Sequence, residues 1–102
     1  MNEISLQGIL STTGTTLFVV PRNNIYKVVS MRFNNPAAYN LTLTKYSAKT
    51  SSSITVYSLA LSAGDTVTDN FVYFLEEGEY LTVTSSVPGT SYIVSGIFYP
   101  IA

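Results

Sequence analysis

The residues able to do chemistry in this chain are few and lie mostly in its second half. Glu76, Glu77 and Glu79 crowd around Gly78. Carboxylates at that spacing could share a proton for acid–base work or offer oxygens to a hard cation. Their Glu-Glu-Gly-Glu context favours a plainer expectation, that of solvated charges on a hairpin turn. Asp65 follows Gly64 and Asp69 comes four residues later, so the same turn reading applies. Serine and lysine are present, but never as Ser-x-x-Lys, and no phosphate-binding glycine loop or dinucleotide fingerprint occurs. Histidine and cysteine are absent. Their absence removes disulfides, thiolate and imidazole metal ligands, and every His- or Cys-dependent nucleophile. The sequence therefore implies no catalytic, cofactor-binding or metal-ligating residue, and no enzyme.

Composition narrows the partners. The 102 residues carry five basic and six acidic groups for a net charge of −1. That balance leaves no electrostatic footprint for nucleic acid. Only 11% of residues are charged against 46% hydrophobic, which is sparse for a solvated exterior and suggests that much of the surface faces other protein. Met1-Asn2-Glu3-Ile4 lacks the basic start of a signal peptide. The longest uncharged stretch, 7–21, is interrupted by Gly8 and Gly14 and reads as two strands and a turn, not a membrane span. Neither a membrane nor a nucleic-acid partner is expected. Asn40-Leu41-Thr42 matches the glycosylation sequon, a match too common by chance to assign.

The elements that must position these residues are strands. Serine and threonine supply about a quarter of the chain, and β-branched and aromatic residues are abundant. Period-two alternation recurs at 4–10, 15–20, 25–33, 39–46, 54–61, 66–74, 80–85 and 92–99, punctuated by turn residues. About eight short strands in one antiparallel β-sandwich, jelly-roll or Ig-like, follow as the fold, with 1–102 as a single domain. Pro36 should close the third strand, and 48–53 is the expected mobile loop. Parity places Val29, Met31 and Phe33 on one face of the third strand, Leu41 and Leu43 inside the fourth, and Leu81 and Val83 inside the seventh. The last strand differs, with Tyr92, Val94 and Phe98 on one face and Ile93, Ile97 and Tyr99 on the other. A strand apolar on both faces needs two covers. These six residues are the candidate interface, covered by a neighbouring subunit or by the chain end.

Charge is uneven along the chain. Residues 1–50 hold all five bases and only Glu3, while 51–102 hold five acids and no base. Opposed halves would make a dipole suited to head-to-tail contacts, whereas interleaved strands would mix the charges. The eight tyrosines suit interfaces and sugar-stacking platforms alike.

Several segments resemble small β-sandwich virion proteins of tailed bacteriophages. The likeness lies in Thr16-Leu17-Phe18-Val19-Val20-Pro21 and in Tyr26-Lys27-Val28-Val29-Ser30-Met31-Arg32-Phe33-Asn34. It continues in Leu59-Ala60-Leu61-Ser62-Ala63-Gly64-Asp65-Thr66, in Leu75-Glu76-Glu77-Gly78-Glu79-Tyr80-Leu81-Thr82-Val83, and in Tyr92-Ile93-Val94-Ser95-Gly96. The pattern spans roughly 15–97. Arg22-Asn23-Asn24 departs from the Ala-Gly-Lys such proteins often carry there. The resemblance implies a structural protein made in the bacterial host cytoplasm and built into the virion. Its implied role is capsid decoration or cement, as a homo-oligomer on the major capsid protein. Neck, tail or fibre attachment is the alternative within the particle, with neck or tail proteins as partners. A receptor- or glycan-binding module, using surface tyrosines and the 48–53 loop, is the alternative from another class.

Overall fold

The computed structural model describes residues 2–101, so the terminal residues of the expected 1–102 domain lie outside the described residues. Alternating apolar and hydroxyl-bearing residues become strands because a pleated backbone sends successive side chains to opposite faces. The chain forms β1 (Asn2–Ile9), β2 (Thr15–Leu17), β3 (Asn24–Asn34), β4 (Tyr39–Ser47), β5 (Ser52–Leu61), β6 (Thr66–Asp69), β7 (Tyr73–Leu75), β8 (Tyr80–Ser85) and β9 (Ser91–Pro100). One sheet runs β1-β9-β3-β6, with β7 also pairing β3, and the other runs β2-β8-β4-β5. Every pairing is antiparallel. The chain changes sheet at each connection except the β4–β5 hairpin and the β6–β7 step. That connectivity is the jelly-roll form of the sandwich.

The two inner faces share one core. Val28, Met31, Phe33, Leu75 and Val94 from the first sheet join Leu17, Leu41, Leu43, Leu81 and Val83 from the second in a single buried cluster. Tyr39 reinforces the join, donating its hydroxyl to the Asp65 carbonyl at 2.7 Å from the opposite sheet's margin. The expected inward pairs of the fourth and seventh strands are fully buried.

Four expectations change. The expected strand 66–74 is two strands, because the chain breaks pairing at 70–72 and resumes farther along β3, which makes nine strands among the described residues. The expected strand 15–20 stops at Leu17, since Phe18 takes a left-handed φ of 54°. That turn sends Phe18 and Val20 into the core and leaves Val19 outside. In β3 the buried residue is Val28, not Val29, because the register with β9 shifts between Val28 and Ser30. One extra residue at a bulge reverses parity on one side of it. Gly96 is required beside this bulge: a Cβ there would lie 2.8 Å from the Lys27 carbonyl oxygen. The 48–53 loop shortens to a turn at 48–51, and β3 ends at Asn34, just ahead of Asn35 and Pro36.

Core burial dictates the first prediction. Leu41→Ala should cost about 3–5 kcal/mol by urea unfolding, the range for a fully buried leucine. Val19→Ala, exposed despite its place in an apolar run, should cost about 0.5 kcal/mol or less. Equal midpoints for the two variants would contradict the burial of the core.

Candidate functional site

The acidic residues singled out by sequence do not converge on a cleft. Glu76 and Glu77 are exposed in the β7–β8 turn, while Glu79 is buried. The Glu79 carboxylate accepts hydrogen bonds from the Glu76 amide at 2.9 Å and the Ala48 amide at 3.0 Å. Lys45 Nζ lies 3.6 Å away. Burial pushes this carboxyl up, but the two amides and the Lys45 ammonium outweigh it and hold it below the ordinary glutamate value. Glu79 is thus a fastener between the β4–β5 and β7–β8 turns, in contrast to the solvated turn charge expected.

Asp69 is likewise buried rather than a surface turn residue. Its carboxylate accepts the Tyr57 hydroxyl at 2.8 Å, the Tyr73 hydroxyl at 2.9 Å and the Phe71 amide at 2.9 Å. Tyr57 belongs to β5 and Tyr73 to β7, so the carboxylate ties the two sheets together along one side. Burial and then the Asp69 partnership push both phenols far above the usual tyrosine range. Sequence reasoning missed this triad because the three residues come from separate elements with no shared motif. A third fastener joins the β3–β4 and β8–β9 turns. Asn35 Nδ2 donates to Thr90 Oγ1 at 2.8 Å and to the Pro88 carbonyl at 3.1 Å. Ser85 and Thr90 hydroxyls meet at 2.6 Å. Among the described residues no buried side-chain polar atom lacks a partner, and no group of three acidic residues is placed to hold a metal ion. These carboxylates spend their capacity on structure.

Charge mixes instead of separating. Arg22, Lys45 and Lys49 stand 3.9, 3.6 and 3.5 Å from Glu77, Glu79 and Glu76 at one end of the sandwich. The dipole disappears because the turns carrying basic and acidic residues fold to the same end. The Arg22 and Lys49 pairs are exposed and contribute little to stability.

The candidate interface residues divide. Val94 is wholly buried in the core and cannot serve as interface. Tyr92 lies on the same inner side, its ring packed over Gly8, where a Cβ would come within 3.0 Å of the hydroxyl. Phe98 is half-buried against Tyr26 with ring centroids 5.7 Å apart. Ile93, Ile97 and Tyr99 point the other way and form the outer face of the first sheet. Register brings Phe74 and Lys27 level with Ile97, and Lys27 Nζ sits 5.9 Å from the Phe74 ring centroid. Ile93 is 55% exposed and Phe74 60%, so among the described residues no other element covers this part of the face.

The opposite outer face carries no charge. Thr16, Thr82, Thr44 and Thr55 stand directly across from one another on β2, β8, β4 and β5. A second rung places Thr84, Thr42 and Ser58 in line, and a third stacks Tyr80 on Tyr46 at 4.9 Å. The Thr-x-Thr spacing in Leu41-Thr42-Leu43-Thr44 and Leu81-Thr82-Val83-Thr84 was the sequence signal for it.

Edges complete the surface. The β2 edge is three residues long, and the β6–β7 edge is broken into four and three. Edges that short template little pairing. By contrast β1 presents eight residues and β5 ten, with Glu3 the only charge and no proline on either.

Two pH effects follow from the buried fasteners. Glu79 has a lowered folded-state value, so its stabilisation is present above the ordinary 4.5 and is lost as pH falls through the lower folded value. Glu79→Gln should flatten the acid limb of the stability curve measured by urea unfolding at successive pH. Tyr57 and Tyr73 have raised values, so their stabilisation is intact below the ordinary 10.0 and is lost as pH rises above it. Ultraviolet titration should show these phenols ionising only as the protein unfolds. Tyr57→Phe should cost about 1.5–3 kcal/mol, the range for a hydrogen bond to a charged group.

No family model matches the sequence, and no curated protein matches it. A solved structure from Bacillus endospore appendages, described as a novel family of disulfide-linked pili, is similar in fold. It aligns over 99% of this chain and 87% of that one, with a TM-score of 0.53 and 10% sequence identity. At that identity the likeness concerns the all-β architecture alone.

Proposed function

We propose that this chain is a non-enzymatic structural subunit that works by assembling with copies of itself and with neighbouring proteins in a larger particle. The observation that carries this reading is the pair of long sheet edges, β1 with Glu3 as its one charge and β5 with none, in a sandwich whose other edges are short or broken. Open backbone donors and acceptors on such strands are satisfied by strand addition from another chain. The exposed apolar face around Ile93, Ile97 and Phe74 supplies a second contact surface. The chemistry of the buried carboxylates points the same way, since each is saturated by structural partners.

The finer reading is a bacteriophage virion protein that decorates the shell and cements contacts on the major capsid protein. It rests on the resemblance of the strand and turn segments between 15 and 97. Neck, tail or fibre attachment is the variant within the same particle. A pilus-like fibre subunit is the second reading, favoured by the structural likeness to the endospore appendage. Such a fibre would be held without disulfides, since these 102 residues contain no cysteine.

Quantitative mass spectrometry of purified particles tests the setting. Decoration predicts a copy number in virions close to that of the major capsid protein, and a neck or tail role a small fraction of it. Absence from virions together with enrichment in sheared surface filaments would replace the virion reading with the fibre. Absence from both, with the purified chain monomeric at high concentration, would sink the assembly proposal itself.

A further inference from the structure

The β5 edge carries a bulge that β1 does not. Val56 has no partner on β4, because Leu43 faces Tyr57 and Thr44 faces Thr55. On the β2-β8-β4-β5 sheet this bulge changes which residues look inward. Tyr57 and Leu59 stand opposite the buried Leu43 and Leu41, so they face the core side. Beyond the bulge Ile54 faces Lys45, which stands opposite the buried Leu81, so Ile54 is also on the core side. Thr55 and Ser58 face Thr44 and Thr42 on the outer side.

The order of faces along β5 is therefore a palindrome centred between Val56 and Tyr57. Reversed upon itself, the strand puts Ile54 opposite Leu59 on the core side and Thr55 opposite Ser58 on the outer side. A strictly alternating strand reverses upon itself about a residue; the bulge moves the centre of reversal to the Val56–Tyr57 step and so fixes which residues meet. Residues directly opposite in an antiparallel pair also share the same hydrogen-bonding class, and the reversal preserves it.

From this geometry we infer that the β5 edge is an isologous interface for a second copy of this chain, paired antiparallel about a twofold axis through the Val56 bulge. The partner's β5 extends the four-stranded sheet into one of eight strands. The inference deepens the assembly reading and rests on it for the premise that copies associate.

Exposure and charge agree with that occupant. Ile54 is 63% exposed and Leu59 37%, large apolar side chains turned toward the core side at an uncovered margin. The same margin is flanked by Phe71 at 69% and Val72 at 39%, next to the Asp69 carboxylate that holds Tyr57 of β5. No residue of β5 is charged, so a twofold axis brings no like charges together. A self-complementary patch is what a twofold contact requires. On β1, Ile4 and Leu6 are already half-buried against the core, and the exposed Ile9 alternates to the outer side instead of the core side.

Cysteine cross-linking in the full chain tests the register, which the cysteine-free background makes clean. The variant carrying both Thr55→Cys and Ser58→Cys should form a reducible covalent dimer in high yield under mild oxidation. Within one chain the two positions are roughly 9–10 Å apart on extended backbone, beyond the reach of about 7 Å for a disulfide. Each single variant should cross-link far less, because a hydroxyl side chain stands opposite. Ile54→Lys, at an exposed position that leaves the fold intact, should weaken dimerisation about tenfold or more by sedimentation. An oligomer that forms without cross-linking at 55 and 58, or whose association is unchanged by Ile54→Lys, overturns the β5 interface and leaves assembly standing. A chain monomeric at every concentration overturns both.

Discussion

A single layer of side chains between two sheets is the constraint on which the rest of this structure depends. Sheets packed face to face sit about 10 Å apart, so each inward residue must meet one from the other sheet. Met31, Phe33, Leu41, Leu43, Leu81 and Val83 meet that demand with essentially no exposure. No second layer exists to compensate for a polar group in this one. Carboxylates and amides at the margin must therefore bring their own partners. Asp69 is held by Tyr57 and Tyr73, Glu79 by two amides and Lys45, and Asn35 by Thr90 and Pro88. Each polar group bridges elements that the apolar layer alone would leave loosely joined. Two such fasteners sit at turns and one on the side where β5 approaches β6 and β7.

Committing alternate residues inward leaves the other half of each strand free to serve the exterior. The two exteriors differ in chemistry. One presents isoleucine, phenylalanine and tyrosine with Lys27 and Arg32 among them; the other presents rows of threonine with no charge. Neither resembles a surface whose solubility rests on dispersed charge. Three of the five basic residues are drawn to one end by the glutamates of the β7–β8 turn, which depletes both faces further.

Alternation made the strands legible, and it failed where the backbone departs from strict period two. Leu41, Leu43, Leu81 and Val83 could be placed inside from sequence because β4 and β8 run regularly over those positions. Val29 was misplaced because a bulge at that residue exchanges it with Val28, and no side chain near it announces the bulge. Val94 stands among the candidate interface residues because parity tells which residues share a face but not which face is covered. Its outward neighbours Ile93, Ile97 and Tyr99 were correctly separated from it. The Phe18 turn was illegible for another reason: a left-handed φ on an aromatic residue is imposed by tertiary packing, against local preference. Asp69 and Glu79 looked like turn charges because burial of a carboxylate depends on partners distant in sequence.

The two bulges have different consequences because of where they fall. In β3, at the centre of its sheet, the extra residue is absorbed by Gly96 on β9 and the core stays continuous. In β5, at the edge, nothing on the far side absorbs it. Edge bulges commonly discourage pairing by twisting the strand away from a regular partner. A regular neighbour such as β4 nonetheless accommodates the bulge, with one extra residue on β5 between the Leu43 and Thr44 pairings. A second β5 needs no such two-against-one accommodation, since two matched irregularities pair residue for residue. The bulge thus sets the register of self-pairing, with Thr55 against Ser58.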